Sequence, residues 1–298
     1  MKVTQLSEVE PGTHPRNVAI GTFDGVHLGH REVIRGADTV LTFEPHPLSV
    51  IQPEAAPKLI SPFPVRRDLI AGLGVEELVV IPFDRGFSEQ SPESFVGDVL
   101  VERLGAERVS VGENFRFGEG ARGTAELLRS HSEFETRGVP LVELGGQTVS
   151  SSHIRGLIAD GDVARASEFL GGPFLFEGEV VSGDRRGREL GMPTANLVPD
   201  DVHVCPGHGV YAAWANGYPT AVNVGVRPTF VTGRGLLVEA HLIGFDGDIY
   251  GETLRIAFLE RMRGEKRFDS VDALIEQMNL DTEEAQAICE RSRYAPSP

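Results

Sequence analysis

The chain has 298 residues, of which 40% are hydrophobic and 24% are charged, with a net charge of −16. This length suits two domains of about 100–200 residues each, and no run approaches the roughly 20 apolar residues of a membrane-spanning helix. The negative charge disfavours nucleic acid as a partner because it repels a phosphate backbone, whereas local glycine turns and helix N-termini can still hold a small anion such as ATP.

The start of the chain and its cysteines indicate the cellular setting. Residues 1–15 lack the basic-then-apolar run of a secretory signal, so we expect a cytoplasmic protein that has no membrane partner. Cys205 and Cys289 have no metal-ligand spacing and predict neither a disulfide framework nor a structural zinc. A homo-oligomer is compatible with the sequence but is not predicted by it.

The first half alternates β-rich runs with helical patterns, which predicts a parallel sheet with crossover helices. The predicted strands are Val18–Ile20, Thr39–Phe43, Leu78–Ile81, Val109–Val111 and Leu141–Leu144. Helices are predicted at Val65–Leu73 and Pro92–Leu104. The second helix has a clear start, with Ser91 as N-cap and Pro92 in the first helical position.

A glycine-rich turn follows the first predicted strand. Residues 21–30 read G-T-F-D-G-V-H-L-G-H, in which glycines let backbone N–H groups approach anionic oxygens at a helix N-terminus. His27 and His30 share one helix face and can donate to one polyphosphate. Zinc is less favoured, since helical zinc pairs usually stand four residues apart; the plain alternative is a turn with two surface histidines. Only residues 31–38 lead to the next strand, which allows about two helical turns.

A second cluster, residues 150–155, reads S-S-S-H-I-R and opens the next predicted helix. Its hydroxyls, free N–H groups and the Arg155 guanidinium suit phosphate, although a plain N-cap is the alternative. Neither a G-x-G-x-x-G fingerprint nor a lysine-containing P-loop follows the first strand, which disfavours a dehydrogenase.

The pattern changes after Leu170, where Gly171-Gly172-Pro173 interrupts a helical stretch, so we predict domains at 1–171 and 172–298. The second half predicts a small antiparallel barrel. Its strands are predicted at Phe174–Val181, Gly209–Ala215, Pro219–Val226, Leu236–Ile243 and Thr253–Phe258. Two C-terminal helices are predicted, Val271–Met278 capped by Asp269 or Ser270, and Thr282–Arg291 capped by Asp281 in a box with Glu284.

The second half also contains a candidate site. A glycine/arginine loop at 183–191 can close over phosphates, and Thr194 and Asn196 in the following turn offer hard oxygens of the kind that Mg²⁺ prefers. Glu239 lies opposite the apolar face of its predicted strand and can serve as a general base toward a hydroxyl. The alternatives are a polar hairpin loop and a solubilising glutamate.

Taken together, these motifs resemble two enzyme modules. G-x-F-D-G-x-H-x-G-H with S-S-x-x-I-R, T-F-E-P-H-P at 42–47 and V-G-E-N-F-R-F-G at 111–118 is similar to the FMN adenylyltransferase module of prokaryotic-type bifunctional FAD synthetases, in the nucleotidyltransferase superfamily. G-x-P-T-A-N at 191–196, G-V-Y at 209–211, N-V-G-x-x-P-T-F at 223–230, V-E-x-H at 238–241 and K-R-F-D-S at 266–270 resemble the riboflavin kinase module.

The resemblance implies an α/β nucleotidyltransferase domain with a Rossmann-like parallel sheet, followed by a small antiparallel β-barrel riboflavin kinase domain with C-terminal helices. It implies phosphorylation of riboflavin to FMN in the second domain and adenylylation of FMN to FAD, with release of pyrophosphate, in the first. Mg²⁺ would accompany ATP, and riboflavin, FMN and FAD would be substrates or products.

It also implies residue roles. Ten residues would form the ATP site of the first domain: Gly21, Phe23, Asp24, Gly25, His27, Gly29, His30, Ser151, Ser152 and Arg155. Of these, His27, His30 and Arg155 would be catalytic, while Asn114 and Phe115 would border the flavin. In the kinase, Glu239 would contact the flavin and activate its ribityl 5′-hydroxyl. Thr194 and Asn196 would hold Mg-ATP, with Gly183, Gly187 and Gly191 at the phosphates.

Three alternatives remain. The short crossover after His30 leaves open a riboflavin kinase whose first domain binds nucleotide without transferring it. A non-catalytic flavin-nucleotide sensor is a second possibility, and a Rossmann oxidoreductase is the least favoured. Phe115 and Phe117 are equally compatible with core packing.

Overall fold

A computed structural model describes residues 1–11, 14–182, 192–226 and 235–294. The chain divides into two compact units, Met1–Pro57 with Phe63–Ser151, and Lys58–Pro62 with Ser152–Pro298. By contacts, therefore, the stretch from Ser152 to Leu170 clusters with the second unit, whereas the predicted domain 1–171 includes it; the functional boundary stays a prediction. Among the described residues, no helix has both the length and the apolar character needed to cross a membrane.

The first unit contains a parallel sheet in the strand order β1-β4-β3-β2-β5-β6. Its strands are β1 (Lys2–Gln5), β2 (Arg16–Ile20), β3 (Thr39–Glu44), β4 (Glu77–Pro82), β5 (Ala106–Gly112) and β6 (Glu135–Val139). The prediction is confirmed for β2 to β5, whose valine, isoleucine and leucine runs are buried on both faces. Val18 and Ile20 pack into the core on one face of the sheet, and Ala19 packs into the core on the other.

The predicted strand Leu141–Leu144 is wrong. The sixth strand of the sheet is β6, and Pro140 after it has no N–H to continue a ladder. The chain then forms a small antiparallel hairpin of β7 (Glu143–Leu144) and β8 (Gln147–Thr148). The strands β1 and β6 lie at the two edges of the sheet, and their mixed, largely polar sequences carry no buried-strand signal.

Helices connect the strands. They are α1 (Leu28–Ile34), α2 (Pro47–Ile51), α3 (Phe63–Ala71), α4 (Arg85–Ser88), α5 (Pro92–Ser94), α6 (Ala125–Arg129), α7 (Ser151–Asp160) and α8 (Val163–Leu170). A π-helical segment, Phe95–Arg103, continues α5, and single 3₁₀ turns occur at Leu6–Glu8, Pro53–Ala55 and Glu119–Ala121. The predicted N-cap is confirmed, since the Ser91 hydroxyl accepts from the Ser94 N–H over 3.0 Å.

Helix α1 is short, as the sequence predicts, with 7 residues. Arg137 of β6 holds its carboxyl end: Nη1 donates to the carbonyl oxygens of Glu32 and Arg35, each over 3.0 Å, and Nη2 donates to the Glu32 carboxylate over 2.5 Å. A cation at this end adds donors to the last carbonyls and complements the helix dipole. A long-range contact thus supports a helix that is too short to be stable alone.

The strand order creates a crevice. From β2 the chain runs through β3 and β4 on one side and then returns to β5 on the other side of β2. In open parallel sheets, ligands bind outside the carboxyl ends of the strands at such a reversal point. The carboxyl ends of β2 and β5 therefore mark the place for a site in this unit.

The second unit contains an antiparallel barrel that, within the described ranges, closes in the order β10-β13-β12-β11-β14-β9. Its strands are β9 (Phe174–Val181), β10 (Ala195–Leu197), β11 (Gly209–Ala215), β12 (Tyr218–Val226), β13 (Leu236–Leu242) and β14 (Thr253–Arg263). The predicted barrel is confirmed. Strand β10 was not predicted, because its three residues follow a turn motif and are too few to show a period.

One continuous helix, α9 (Val271–Arg291), ends the described chain, so the prediction of two C-terminal helices is wrong. The Ser270 cap is confirmed, with its hydroxyl accepting from the Ala273 N–H over 3.2 Å. Asp281 is not a cap. Its carboxylate is buried inside the helix and accepts from Arg263 of β14 over 2.8 and 2.6 Å and from Gln277 over 3.0 Å. An aspartate usually favours a helix start because its carboxylate hydrogen-bonds to nearby backbone N–H groups. Here Arg263 and Gln277 bind the carboxylate instead, so Asp281 can lie inside the helix.

Candidate functional site

The glycine-rich turn after β2 is tightly folded. Phe23, Gly25 and Val26 have positive φ angles of 51°, 82° and 43°, and Phe23 and Asp24 are each only 1% exposed. A Cβ on Gly21 would stand 3.1 Å from the Phe23 ring, so a side chain at position 21 would crowd this ring. The Ser151 hydroxyl donates to the Asp24 carbonyl over 3.1 Å, which brings the predicted Ser151 to this turn.

The two histidines of the motif stack on each other. Their ring centroids are 3.5 Å apart with an interplanar angle of 15°. His27 caps α1, and its Nδ1 accepts from the His30 N–H over 3.2 Å, so the proton of the neutral His27 ring lies on Nε2. Gly29 gives this arrangement room, because a Cβ there would stand 3.2 Å from the His27 ring.

His30 is held neutral. Burial lowers its pKa well below the usual value, and the electrostatic interactions with His27 and with the Arg66 guanidinium lower the pKa further. Its Nδ1 is buried and has no hydrogen-bond partner among the described residues. A polyphosphate at this turn would bring the negative charge that favours protonation of the ring.

A cavity of 710 Å³ adjoins the turn, and five of the predicted residues line it: Gly21, Phe23, His30, Asn114 and Phe115. Gly21 follows β2, and Asn114 follows β5, so the cavity lies at the expected crevice. An aromatic wall completes the lining, with Phe43, Phe83, Phe87, Phe95 and Phe117. Phe115 and Phe117 are stacked at 5.6 Å; Phe117 belongs to the core, and Phe115 packs against it.

Sequence reasoning missed two residues of this region. His46 lines the cavity and caps α2, its Nδ1 accepting from the Leu48 N–H over 3.2 Å. Arg66 on α3 is 1% exposed and donates to the carboxylate of Glu44, at the end of β3, while its Nε and Nη1 have no partner within the described ranges. The sequence did contain a signal for Arg66, because an arginine lies between the apolar residues Val65 and Ile70 of a predicted helix.

Ser152 and Arg155 lie on α7, where Arg155 Nη1 donates to the Ser152 hydroxyl over 3.3 Å. Both cluster with the second unit by contacts. Their assignment to ATP stays a prediction.

In the barrel, strand register brings three polar residues into one row. Glu239 of β13 stands directly opposite Asn196 of β10 on one side and opposite Asn223 of β12 on the other. Residues opposite each other in antiparallel strands share a face. Nδ2 of Asn223 donates to Oε2 of Glu239 over 3.2 Å. The half-buried Glu239 carboxylate is therefore oriented by Asn223 on the neighbouring strand. The sequence alone did not reveal this contact.

Two cavities meet at Thr194, which lines both. One, of 290 Å³, is lined by Thr194, Asn196 and the segment from Phe245 to Tyr250. The other, of 430 Å³, is lined by Thr194, Glu239, Asn223 and His241 together with Phe268 and Met278. Thr194 is therefore a wall residue common to the two cavities. The predicted Gly183, Gly187 and Gly191, and residues 227–230 of the N-V-G-x-x-P-T-F motif, lie outside the described residues.

Comparison with known proteins matches the two parts of the chain to two enzyme families. Residues 10–153 match the FAD synthetase family, and residues 170–289 match the riboflavin kinase family. The bifunctional riboflavin kinase/FMN adenylyltransferase of Bacillus subtilis is 34% identical, over 92% of this chain and 95% of its own. The Escherichia coli K12 protein of the same name is 35% identical, over 89% and 90% of the two chains. A crystal structure described as a macrolide-efflux protein from Streptococcus pneumoniae has a TM-score of 0.84 and 32% identity over 96% of this chain and 99% of that one.

Proposed function

The chain belongs to the family of bifunctional riboflavin kinases/FMN adenylyltransferases, and from this membership we propose how its residues share the two reactions. It phosphorylates riboflavin to FMN and adenylylates FMN to FAD, with ATP as the second substrate of each reaction. The alternative of a kinase with a silent first module is disfavoured, because both family models match and the curated relatives align over nearly their whole length.

For the kinase, we assign riboflavin to the cavity that contains Glu239 and the ATP triphosphate to the cavity that contains Asn196. The observation that carries this assignment is Thr194, which lines both cavities two residues before Asn196. The Glu239 carboxylate would take the proton of the ribityl 5′-hydroxyl while that oxygen forms a bond to the γ-phosphorus and the bond to ADP breaks. The donor from Asn223 keeps the acceptor oxygen aimed at the hydroxyl.

The residues near Thr194 fit Mg²⁺. Oδ1 of Asn196 is buried and has no hydrogen-bond partner among the described residues, and such an acceptor oxygen is a suitable cation ligand. We propose that Thr194 and Asn196 hold the magnesium of Mg-ATP, which would neutralise phosphate charge when bound. Gly183, Gly187 and Gly191, which lie outside the described residues, are assigned to the phosphates on the sequence alone.

For the adenylyltransferase, we assign the flavin ring to the aromatic wall beside Asn114 and Phe115. The ATP phosphates would lie against the glycine turn, where His27, His30, Ser151 and backbone N–H groups offer donors. A phosphate oxygen of FMN would attack the α-phosphorus and displace pyrophosphate. Positioning and electrostatics suffice for such a transfer, and Arg155 with Ser152 is proposed to add charge stabilisation.

Chromatography of the flavins formed from riboflavin and Mg-ATP tests both assignments at once. We expect Glu239→Gln to abolish FMN formation while FAD is still made from added FMN, and His30→Ala to do the reverse. The matched control is Glu260→Gln, which alters an exposed glutamate on β14 of the same barrel. If Glu239→Gln phosphorylates riboflavin at the normal rate, Glu239 is not the base.

We keep the cytoplasm as the expected location and small molecules as the expected partners. Both rest on the sequence.

A further inference from the structure

The turn that carries Thr194 lies directly before the first residue of a barrel strand. Strand β10 begins only at Ala195, which pairs with Ala240 of β13. Extended by one residue, this register would place Thr194 opposite His241. Pro193 has no N–H to donate, so a regular ladder cannot continue through the turn.

A side chain takes the place of the missing ladder. Nδ1 of His241 lies 2.9 Å from the carbonyl oxygen of Pro193. A carbonyl oxygen can only accept, so the ring must carry a proton on Nδ1. This hydrogen bond ties the peptide between Pro193 and Thr194 to strand β13, which also carries Glu239.

We infer that His241 is a positioning residue of the kinase reaction, which fixes the Thr194 peptide relative to Glu239 through its Nδ1–H. The inference rests on the proposed function, since it needs Thr194 at the nucleotide and Glu239 at the hydroxyl. His241 and Glu239 are two residues apart on one face of a rigid strand, and Thr194 stands where the two cavities meet. The hydrogen bond from His241 to Pro193 therefore couples the position of the Thr194 turn to the position of Glu239.

The consequence is kinetic. Displacement of a reacting group by about 1 Å can lower a rate by about a hundredfold, because the bound groups no longer meet in attack geometry. Without its tie the Thr194 turn can shift, which we expect to weaken productive binding of Mg-ATP more than binding of riboflavin.

The test compares His241→Leu with His241→Asn. The two replacements have nearly the same branched shape, but only asparagine has an N–H donor near the position of Nδ1. We expect His241→Leu to lower kcat/KM for Mg-ATP by about ten- to a hundredfold, with the KM for riboflavin changed less than about twofold. We expect His241→Asn to recover kcat/KM to within about threefold of the unaltered protein.

Two measurements on the same samples serve as controls. Formation of FAD from FMN takes place in the other module and should be unchanged in both variants. Fluorescence of Trp214, the single tryptophan of the chain, reports whether the barrel is folded. If His241→Leu does not fold, His241→Asn decides alone: a folded asparagine variant with a tenfold loss overturns the inference.

Glu239→Gln, run in parallel, separates the two possible failures. If Glu239→Gln is inactive as a kinase and His241→Leu is normal, the positioning role is wrong and the proposed function stands. If Glu239→Gln is active, the proposed base is wrong. Equal losses in His241→Leu and His241→Asn, with unchanged KM for Mg-ATP, would indicate a structural role only and would also overturn the inference.

Discussion

Asn223 and Glu239 stand directly opposite each other on β12 and β13, and the amide nitrogen of Asn223 donates to the glutamate over 3.2 Å. A general base must be held within hydrogen-bond reach of the proton that it takes. The strand register, rather than a neighbouring residue in sequence, supplies this orientation.

We therefore expect Asn223→Ala to lower the kinase kcat by about tenfold, which equals the loss of about 1.4 kcal/mol of transition-state stabilisation. Asn223→Asp should lower it further, because it places a second carboxylate beside Glu239. Riboflavin phosphorylation is the measurement, and FAD formation from FMN is the internal control. An unchanged kcat in both variants would show that Glu239 needs no partner.

The charge of Arg66 contributes to the low pKa of His30, after burial and the electrostatic interaction with His27. We expect Arg66→Met to raise the pKa of His30, as followed by NMR titration of its ring protons. The matched control is Arg67→Met, one residue along the same helix, where the guanidinium is 44% exposed and paired with Asp68. Equal titration midpoints for His30 in the Arg66 variant and in the unaltered protein would contradict this prediction.

The same histidine makes the first unit sensitive to acid. Because the folded-state pKa of His30 lies below its unfolded value, the unfolded chain binds the proton more readily. The stability linked to His30 is thus fully present above about pH 6.5 and falls as the pH drops below that value. Replacing His30 with Gln should flatten the decline in urea midpoint between about pH 6.5 and 5, as monitored by far-UV circular dichroism. A parallel decline in both proteins would exclude His30 as the cause.

Arg137 clamps the carboxyl end of the short helix α1. We expect Arg137→Met to lower the free energy of unfolding of the first unit by about 1–2 kcal/mol, since it removes three hydrogen bonds from the end of the helix, one of them to a carboxylate. The control is Arg108→Met on the adjacent strand, which removes an exposed pair with Glu135 and should cost less than about 1 kcal/mol. Far-UV circular dichroism in urea gives both values, and equal losses would contradict the clamp.

Asp281 and Arg263 join α9 to the barrel through a pair in which the aspartate side chain is 7% exposed. We expect Asp281→Ala to cost about 3 kcal/mol, because it removes one partner and leaves the other charge uncompensated. Trp214 fluorescence in urea follows this unit alone. Glu283→Ala, on the exposed side of the same helix, should change the midpoint little.

Much of the fold and part of the site follow from local sequence. Buried runs such as Thr39–Glu44, the Ser91 and Ser270 caps, the glycine turn and the direction of Glu239 all depend on periodicity and turn chemistry within a few residues. Such features are set by sterics and local hydrogen bonds, which neighbouring residues specify.

Only the tertiary structure decided the remainder. Edge strand β6 has no apolar run and forms because its backbone pairs with β5. Asp281 lies inside a helix because Arg263 of β14 binds its carboxylate. The support of Glu239 by Asn223, the burial of Arg66 beside Glu44, and the place of Thr194 between two cavities all join residues that are distant in the chain. Their energies come from partners brought together by folding, so no local pattern can encode them.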